Sequence, residues 1–390
     1  MIESPVAVAA ALTAIAAFYF WLPRVTGWRL FQYLIPLIWI YATPVVLRNT
    51  GVLPASSPTY DVLRHIGLPV VIVLLLVSVD VGAAVRVMGK GVLVMLMGTA
   101  GIMVGAPVGY LVVHRWLAED AWAGFGALAG SWIGGTGNLA AAAHALGTSE
   151  EQFGLAVLAD TVIYIGWLPL LLVSKNFAEQ FNRWTGVSKE RVAKMEAAAA
   201  AEVKEKPPPS FRDYLNLGAI ALGVTLFAGW FADKLPEIEA GGETVISTST
   251  WVVLLVTTLG IALSFTGAKA IPGSHELAMA ILYVFVARMG ATASLAGFGQ
   301  APAFLVGTAI WIMIHGLFCL AGAYLFKVDV HSAAIASAAN VGGAASAPVV
   351  AAHHRESLVP AAILMALIGY ALGNYLAIIT GHMCRLVVGG

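Results

Sequence analysis

Apolar residues in this chain collect in runs of about twenty, the length a helix needs to cross roughly 30 Å of hydrocarbon. Ten such runs can be drawn: 5–22, 30–48, 62–86, 91–113, 152–174, 213–232, 249–268, 275–297, 302–326 and 357–380. Two further stretches, 121–147 and 332–352, are less apolar and rich in Gly, Ala and Ser. Between residues 175 and 212 the character changes, and this segment holds most of the lysines. Its middle predicts a water-exposed helix ended by Pro207-Pro208-Pro209, a tether between two halves.

Composition agrees. Of 390 residues, 59% are hydrophobic and 11% charged. A soluble domain carries about twice that charge. Net charge is zero and no basic block is present, so nucleic acid is not an expected partner. The two cysteines, Cys319 and Cys384, lie in or near apolar segments, match no zinc or redox spacing, and are expected to be reduced. A signal peptide would place basic residues before the run 5–22. Here Arg24 and Arg29 follow it, which predicts a retained first span with its N-terminus outside.

The halves repeat one another. Val81-Gly82-Ala83, Gly98-Thr99-Ala100, Ile133-Gly134-Gly135 and Tyr164 in the first half match Met289-Gly290-Ala291, Gly307-Thr308-Ala309, Val341-Gly342-Gly343 and Tyr370 in the second. The separations are 208, 209, 208 and 206 residues. Internal repeats of this kind mark transporter folds. If 121–147 and 332–352 cross the membrane, each half has six spans and the repeats are parallel. If each enters and turns back, each half has five and the repeats are inverted. In the second case one side carries Arg24, Arg29, Arg86, Lys90, the 175–212 segment and Lys269. The other carries Glu119, Asp120, Asp233, Glu237, Glu239 and Glu243 against Arg115 and Lys234. Basic loops belong in the cytoplasm, so charge favours the second case. The expected fold is therefore an all-α polytopic membrane protein. It has two inverted repeats of five transmembrane helices, each with one re-entrant hairpin. The first repeat is 1–174 with hairpin 121–147, the cytoplasmic linker is 175–212, and the second repeat is 213–390 with hairpin 332–352. The chain should be multi-pass in the cell (inner) membrane with both termini outside.

The hairpin tips carry the main chemical signal. Glycine permits unwound backbone, which is tolerated at membrane depth only inside protein or beside a water-filled cavity. Facing helix ends offer N–H groups to an anion and carbonyls to a cation. Gly134, Gly135, Thr136 and Asn138 with Ser131 form one tip; Asn340, Gly342, Gly343 and Ser346 form the other. The bland alternative is close helix packing. Asp80 and Arg288 each lie near their half's Gly-Ala pair. Arg288 suits a carboxylate or phosphate and Asp80 a cation or proton, unless both serve only to pair inside the bundle. Asp160, whose counterpart is Ala366, suits Na+ or proton coupling or a capped structural role. His315 is a candidate proton carrier but more often such a histidine is a hydrogen-bonded core residue. His353-His354 falls at an expected loop with no implied metal geometry. Gly147-Thr148-Ser149-Glu150-Glu151 reads as a helix start capped by Thr148 or Ser149. No nucleophile, P-loop or zinc-protease motif occurs, so an enzyme is not expected.

The runs GSWIGGTGNLAAAAHALG and LAVLADTVIYIGWLPLLL, the LLLVSVD stretch ending at Asp80, and ANVGGAASAPVVAAHHRESLVPAAILMALIGYALGNYLA resemble the YjcL-like integral membrane family, domain of unknown function 819. That resemblance covers nearly the whole chain and implies a multi-spanning membrane protein. A remoter likeness is to sodium/glutamate symporters and 2-hydroxycarboxylate transporters. It implies a homodimer with a fixed scaffold and a sliding transport domain. It also implies that Ser131, Thr136, Asn138, Asn340 and Ser346 line solute or Na+ sites. The expectation is a Na+- or H+-coupled elevator-type secondary transporter of a small anionic solute, with no cofactor and no metal beyond Na+. The rivals are a lipid-linked carrier translocase and a membrane scaffold or sensor without transport.

Overall fold

The computed structural model describes residues 2, 4–28, 36–79, 82, 88–188, 207–240, 243–292, 299–355 and 358–389. The first half contains α1 (Pro5–Thr26), α2 (Pro36–Asn49), α3 (Pro58–Val77), α4 (Lys90–Val113), α5 (Ala121–Gly134), α6 (Thr136–Ala145) and α7 (Glu150–Val173). A short helix α8 (Ala178–Thr185) follows. The second half contains α9 (Phe211–Ala232), α10 (Thr248–Ser264), α11 (Ser274–Thr292), α12 (Ala301–Phe326), α13 (Val330–Asn340), α14 (Gly343–His354) and α15 (Val359–Leu386). One two-stranded antiparallel hairpin, β1 (Ile238–Ala240) with β2 (Glu243–Ile246), joins α9 to α10.

The chain is an all-helical polytopic membrane protein. Among the described residues, seven helices are long and apolar enough to span a bilayer: α1, α3, α4, α7, α9, α12 and α15. The other three expected spans are also helical but fall short by length or hydropathy. Described α2 has 14 residues and α10 has 17, while α11 carries His275, Glu276 and Arg288. The run expected over 62–86 stops early, because α3 ends at Val77. Asp80 lies outside the described residues, as does the middle of the linker, 189–206.

Local signals set the helix ends. Ser149 caps α7, accepting from Gln152 N–H, with Glu150 and Glu151 on the positive end of the helix dipole. Thr148 instead donates to the Ala123 carbonyl at 3.2 Å. Past the three prolines, Ser210 and Asp213 form a capping box that starts α9.

Buried residues fall into distinct cores. One unites α1, α2, α3, α9, α10 and α11 with hairpin one (α5 and α6) and with parts of α7 and α15. Every residue of Leu68–Val77 is buried there, as an element apolar on all sides should be. The other cores unite α4, α5, α7 and α12–α15. The closest pairing in them is α4 against α12, where Gly98, Gly101, Gly105 and Gly109 face Cys319, Phe318, Trp311 and Gly307 in turn. Ascending numbers meet descending ones, so the two helices are antiparallel. Small residues let the backbones approach and gain dispersion contacts that lipid cannot supply.

Candidate functional site

The stretches 121–147 and 332–352 are helical hairpins. In the first, the Thr148 bond to Ala123 and the 2.6 Å bond from Ser149 to Asp120 bring its two ends together. In the second, His331 Nδ1 meets His354 Nδ1 at 3.0 Å, which closes its two ends. That places His354 at the end of α14, buried, rather than in the expected loop. Its Nε2–H donates to the Leu171 carbonyl at 2.8 Å.

Helix α7 measures where the hairpins enter. The first opens beside its start, at Ser149, and the second opens beside Leu171 near its end. At 1.5 Å per residue these points are about 32 Å apart, the thickness of a hydrocarbon core. The hairpins thus point toward each other from opposite ends. Limbs of ten to fourteen residues reach about 15–21 Å, so the tips meet near the middle. An ideal Cβ on Gly343 would lie 3.5 Å from Gly135 Cα.

Both tips are breaks in helical backbone. Gly135 has φ +80° and Gly342 has φ +113°, conformations that an L side chain rarely adopts. Each tip lies against a tyrosine from the other half. A Cβ on Gly135 would meet the Tyr370 ring at 3.1 Å, and one on Gly342 would meet the Tyr164 ring at 3.0 Å. The polar residues follow the same exchange. Asn138 donates to the Tyr370 carbonyl at 3.0 Å, while the Ser346 side chain and the Tyr164 ring both lie against Gly342. Asn138 and Ser346 are 208 residues apart, in repeat register.

One charge enters this region. Asp160 is buried, and its carboxylate accepts from Ser131 Oγ–H and from Trp132 Nε1–H, both at 2.9 Å. Among the described residues no cationic side chain pairs with it. Intramembrane carboxylates cost about 2.5–3.5 kcal/mol on insertion scales, and each hydrogen bond to a charged group returns roughly 1.5–3 kcal/mol. The two bonds therefore offset the burial without a counter-ion. Asp160 and Tyr164 lie one turn apart on α7 and so share a face. The first reaches hairpin one and the second reaches hairpin two.

Further down the same helix, Trp167 Nε1–H donates to Ser337 Oγ at 3.0 Å. His315 lies between Ser337 Oγ and the Gly98 carbonyl, 2.9 Å from each. A carbonyl only accepts, so His315 carries its proton on Nδ1 toward Gly98. The histidine is a satisfied core residue that ties α12, α13, α4 and α7 together.

The structure brings together Gly134, Gly135, Asn138, Gly342, Gly343 and Ser346, with Ser131 and Asp160 one turn below. Thr136 opens α6 at the tip and is half-buried. Asn340 turns away and bonds Thr99 on α4 at 2.8 Å. Arg288 is not at the tips. It pairs with Glu150 at 2.8 Å, beside the open end of hairpin one. Tyr164 and Tyr370 read in the sequence only as repeat markers. Their matched spacing was the available signal that they belong to the tips.

Residues 10–387 of the chain match the family described as "Protein of unknown function (DUF819)", and the chain belongs to that family. It is also similar to the "Uncharacterized membrane protein YjcL" of Bacillus subtilis (strain 168), with 26% identity over 355 residues, 87% of each chain.

Proposed function

We propose that this membrane protein is a secondary transporter of the elevator type, moving a small anionic solute with Na+ or H+. The observation that carries this reading is the meeting of two opposed hairpin tips beside an unpaired buried carboxylate. Gly135 and Gly343 adjoin, and Asp160 lies one turn away with only neutral donors. Non-helical backbone at the bilayer midplane is the usual construction of a solute site in such transporters.

The directions of the elements support inverted repeats of five spans and a hairpin. Helix α4 runs antiparallel to its counterpart α12, and the hairpins enter from opposite ends of α7. Helix α15 runs against α5, with Gly369 beside Ile133 and Gly381 beside Gly126. The shared core of α1–α3 with α9–α11 supports a scaffold, against which hairpin one and parts of α7 and α15 pack, and the hairpin-bearing set would be the moving unit. Solute would lie among Thr136, Asn138, Tyr164, Gly342, Ser346 and Tyr370, where the first turns of α6 and α14 present backbone N–H groups. Asp160 would hold the coupling ion. The acidic loop at 233–243 belongs on the outer side with both termini, in the cell membrane, and the assembly would be a homodimer.

Uptake by the full chain in proteoliposomes, driven by a Na+ or proton gradient, tests the reading. Asp160→Asn should remove the dependence on the driving ion while the protein still folds. Gradient-driven uptake that survives Asp160→Asn together with Asn138→Ala overturns the site assignment.

A further inference from the structure

Hairpin one has a second polar cluster at its open end, which the tip site does not use. Helix α7 begins there with Glu150, and α6 ends there with His144. Arg288 arrives from α11, with only 7% of its surface exposed. Its Nη1–H donates to Glu150 Oε1 at 2.8 Å, while its Nε is buried without a partner among the described residues. Arg64 acts electrostatically on both Glu150 and His144, and Arg288 and Arg48 both act on Tyr60. Arg48 likewise has a buried Nε without a partner. Arg64, His65 and Arg288 all act electrostatically on His144, and the His65 and His144 rings lie 6.4 Å apart. Arg64 and His65 stand exposed on a π-helical turn, Leu63–Gly67. Such turns recur at functional sites. The other nearby acids are Asp61, exposed on α3, and Glu151, which faces Tyr41; neither pairs with these arginines among the described residues.

Two guanidinium groups, Arg288 and Arg64, therefore act on one internal carboxylate, and among the described residues Arg288 keeps a buried donor unused. An unmade buried hydrogen bond is costly, and a planar guanidinium fork matches two oxygens of a carboxylate or phosphate. From this we infer that Arg64, Arg288 and His144 form a binding site for an oxyanion, carboxylate or phosphate, at the mouth of hairpin one. Glu150 occupies it as a built-in anion that the ligand displaces. The site lies away from the tips: His144 is eight residues beyond Thr136, about 12 Å along α6. It does not depend on the transport reading. The shared chemistry admits two sources, a free anion and the phosphate of an anionic lipid.

The test uses the full chain in detergent. Thermal unfolding is followed while inorganic phosphate is titrated against sodium chloride of equal ionic strength. A second arm reconstitutes the chain in phosphatidylcholine vesicles with and without phosphatidylglycerol. Phosphate or phosphatidylglycerol should raise the melting temperature, and which of them does so identifies the source. Glu150→Gln frees the arginines and should strengthen the response by about tenfold, a typical effect for one charge-assisted contact. Arg64→Gln, at an exposed position that should not disturb folding, should weaken it by a similar factor. A response equal to wild type in both variants, or no response to either probe, overturns the inference.

Discussion

The two hairpins share one backbone plan and differ in what they bind. Each breaks at a glycine with positive φ, each rests on a tyrosine from the opposite half, and each closes its open end with hydrogen bonds. Hairpin one holds a charge near its tip, Asp160 through Ser131 and Trp132. At the matching places stand Ala366 on α15 and Ala339 and Asn340 on hairpin two. Hairpin two instead is fastened at its base by the start of the linker. Asn182 of α8 accepts from Val330 N–H at 3.0 Å, and Lys175 donates to the His353 carbonyl at 2.6 Å. The tether is thus partly a structural clamp. The lesson is that two hairpins can share the same glycine break in their backbone while the side chains around the breaks differ.

The sharpest way to break the comparison is to force the missing charge beside hairpin two. Ala366 on α15 is fully buried, and of the positions matching Ser131 and Trp132 one is Ala339 and the other is Asn340, whose side chain is already bonded to Thr99. Ala366→Asp should cost about 3–5 kcal/mol, the penalty of an uncompensated buried charge, read as loss of folded protein in thermal or chemical denaturation. A near-neutral result would mean that the charge asymmetry is not set by local partners. The shared feature comes next. Gly135→Ala and Gly342→Ala should each cost about 1–3 kcal/mol, because a Cβ is forced into left-handed backbone against a tyrosine ring. Equal costs would confirm that the tips are equivalent in backbone; a cost at one alone would separate them. The smallest effect concerns the clamp. Asn182→Ala removes the side-chain acceptor of a helix-start N–H and should cost roughly 1 kcal/mol. Hydrogen exchange should speed up at 330–335 and stay unchanged at 121–126.

Much of this was legible in the sequence for a physical reason. Runs of twenty apolar residues, glycine pairs in register and the proline-ended linker are local or periodic signals, and the constraint of satisfying backbone groups in lipid leaves few structures for them. The hairpins and their tips follow from such signals. Arg288 and Glu150 did not, since they are 138 residues apart and no spacing rule links them. Asp160 was readable as an unusual charge, but its partners Ser131 and Trp132 became known only once α5 lay beside α7. The same holds for His315, whose two partners come from α4 and α13.

By itself, then, the sequence determined that the chain is a polytopic membrane protein and where most of its apolar helices run. Hydrophobic length and backbone hydrogen bonding act along the chain, so they can be read along it. The tertiary structure alone decided that the two tips meet, that each receives the other half's tyrosine, and that Arg288 lies at a hairpin mouth instead of at the tips. Those outcomes depend on which helix faces pack together, and that is settled by shape complementarity among distant residues.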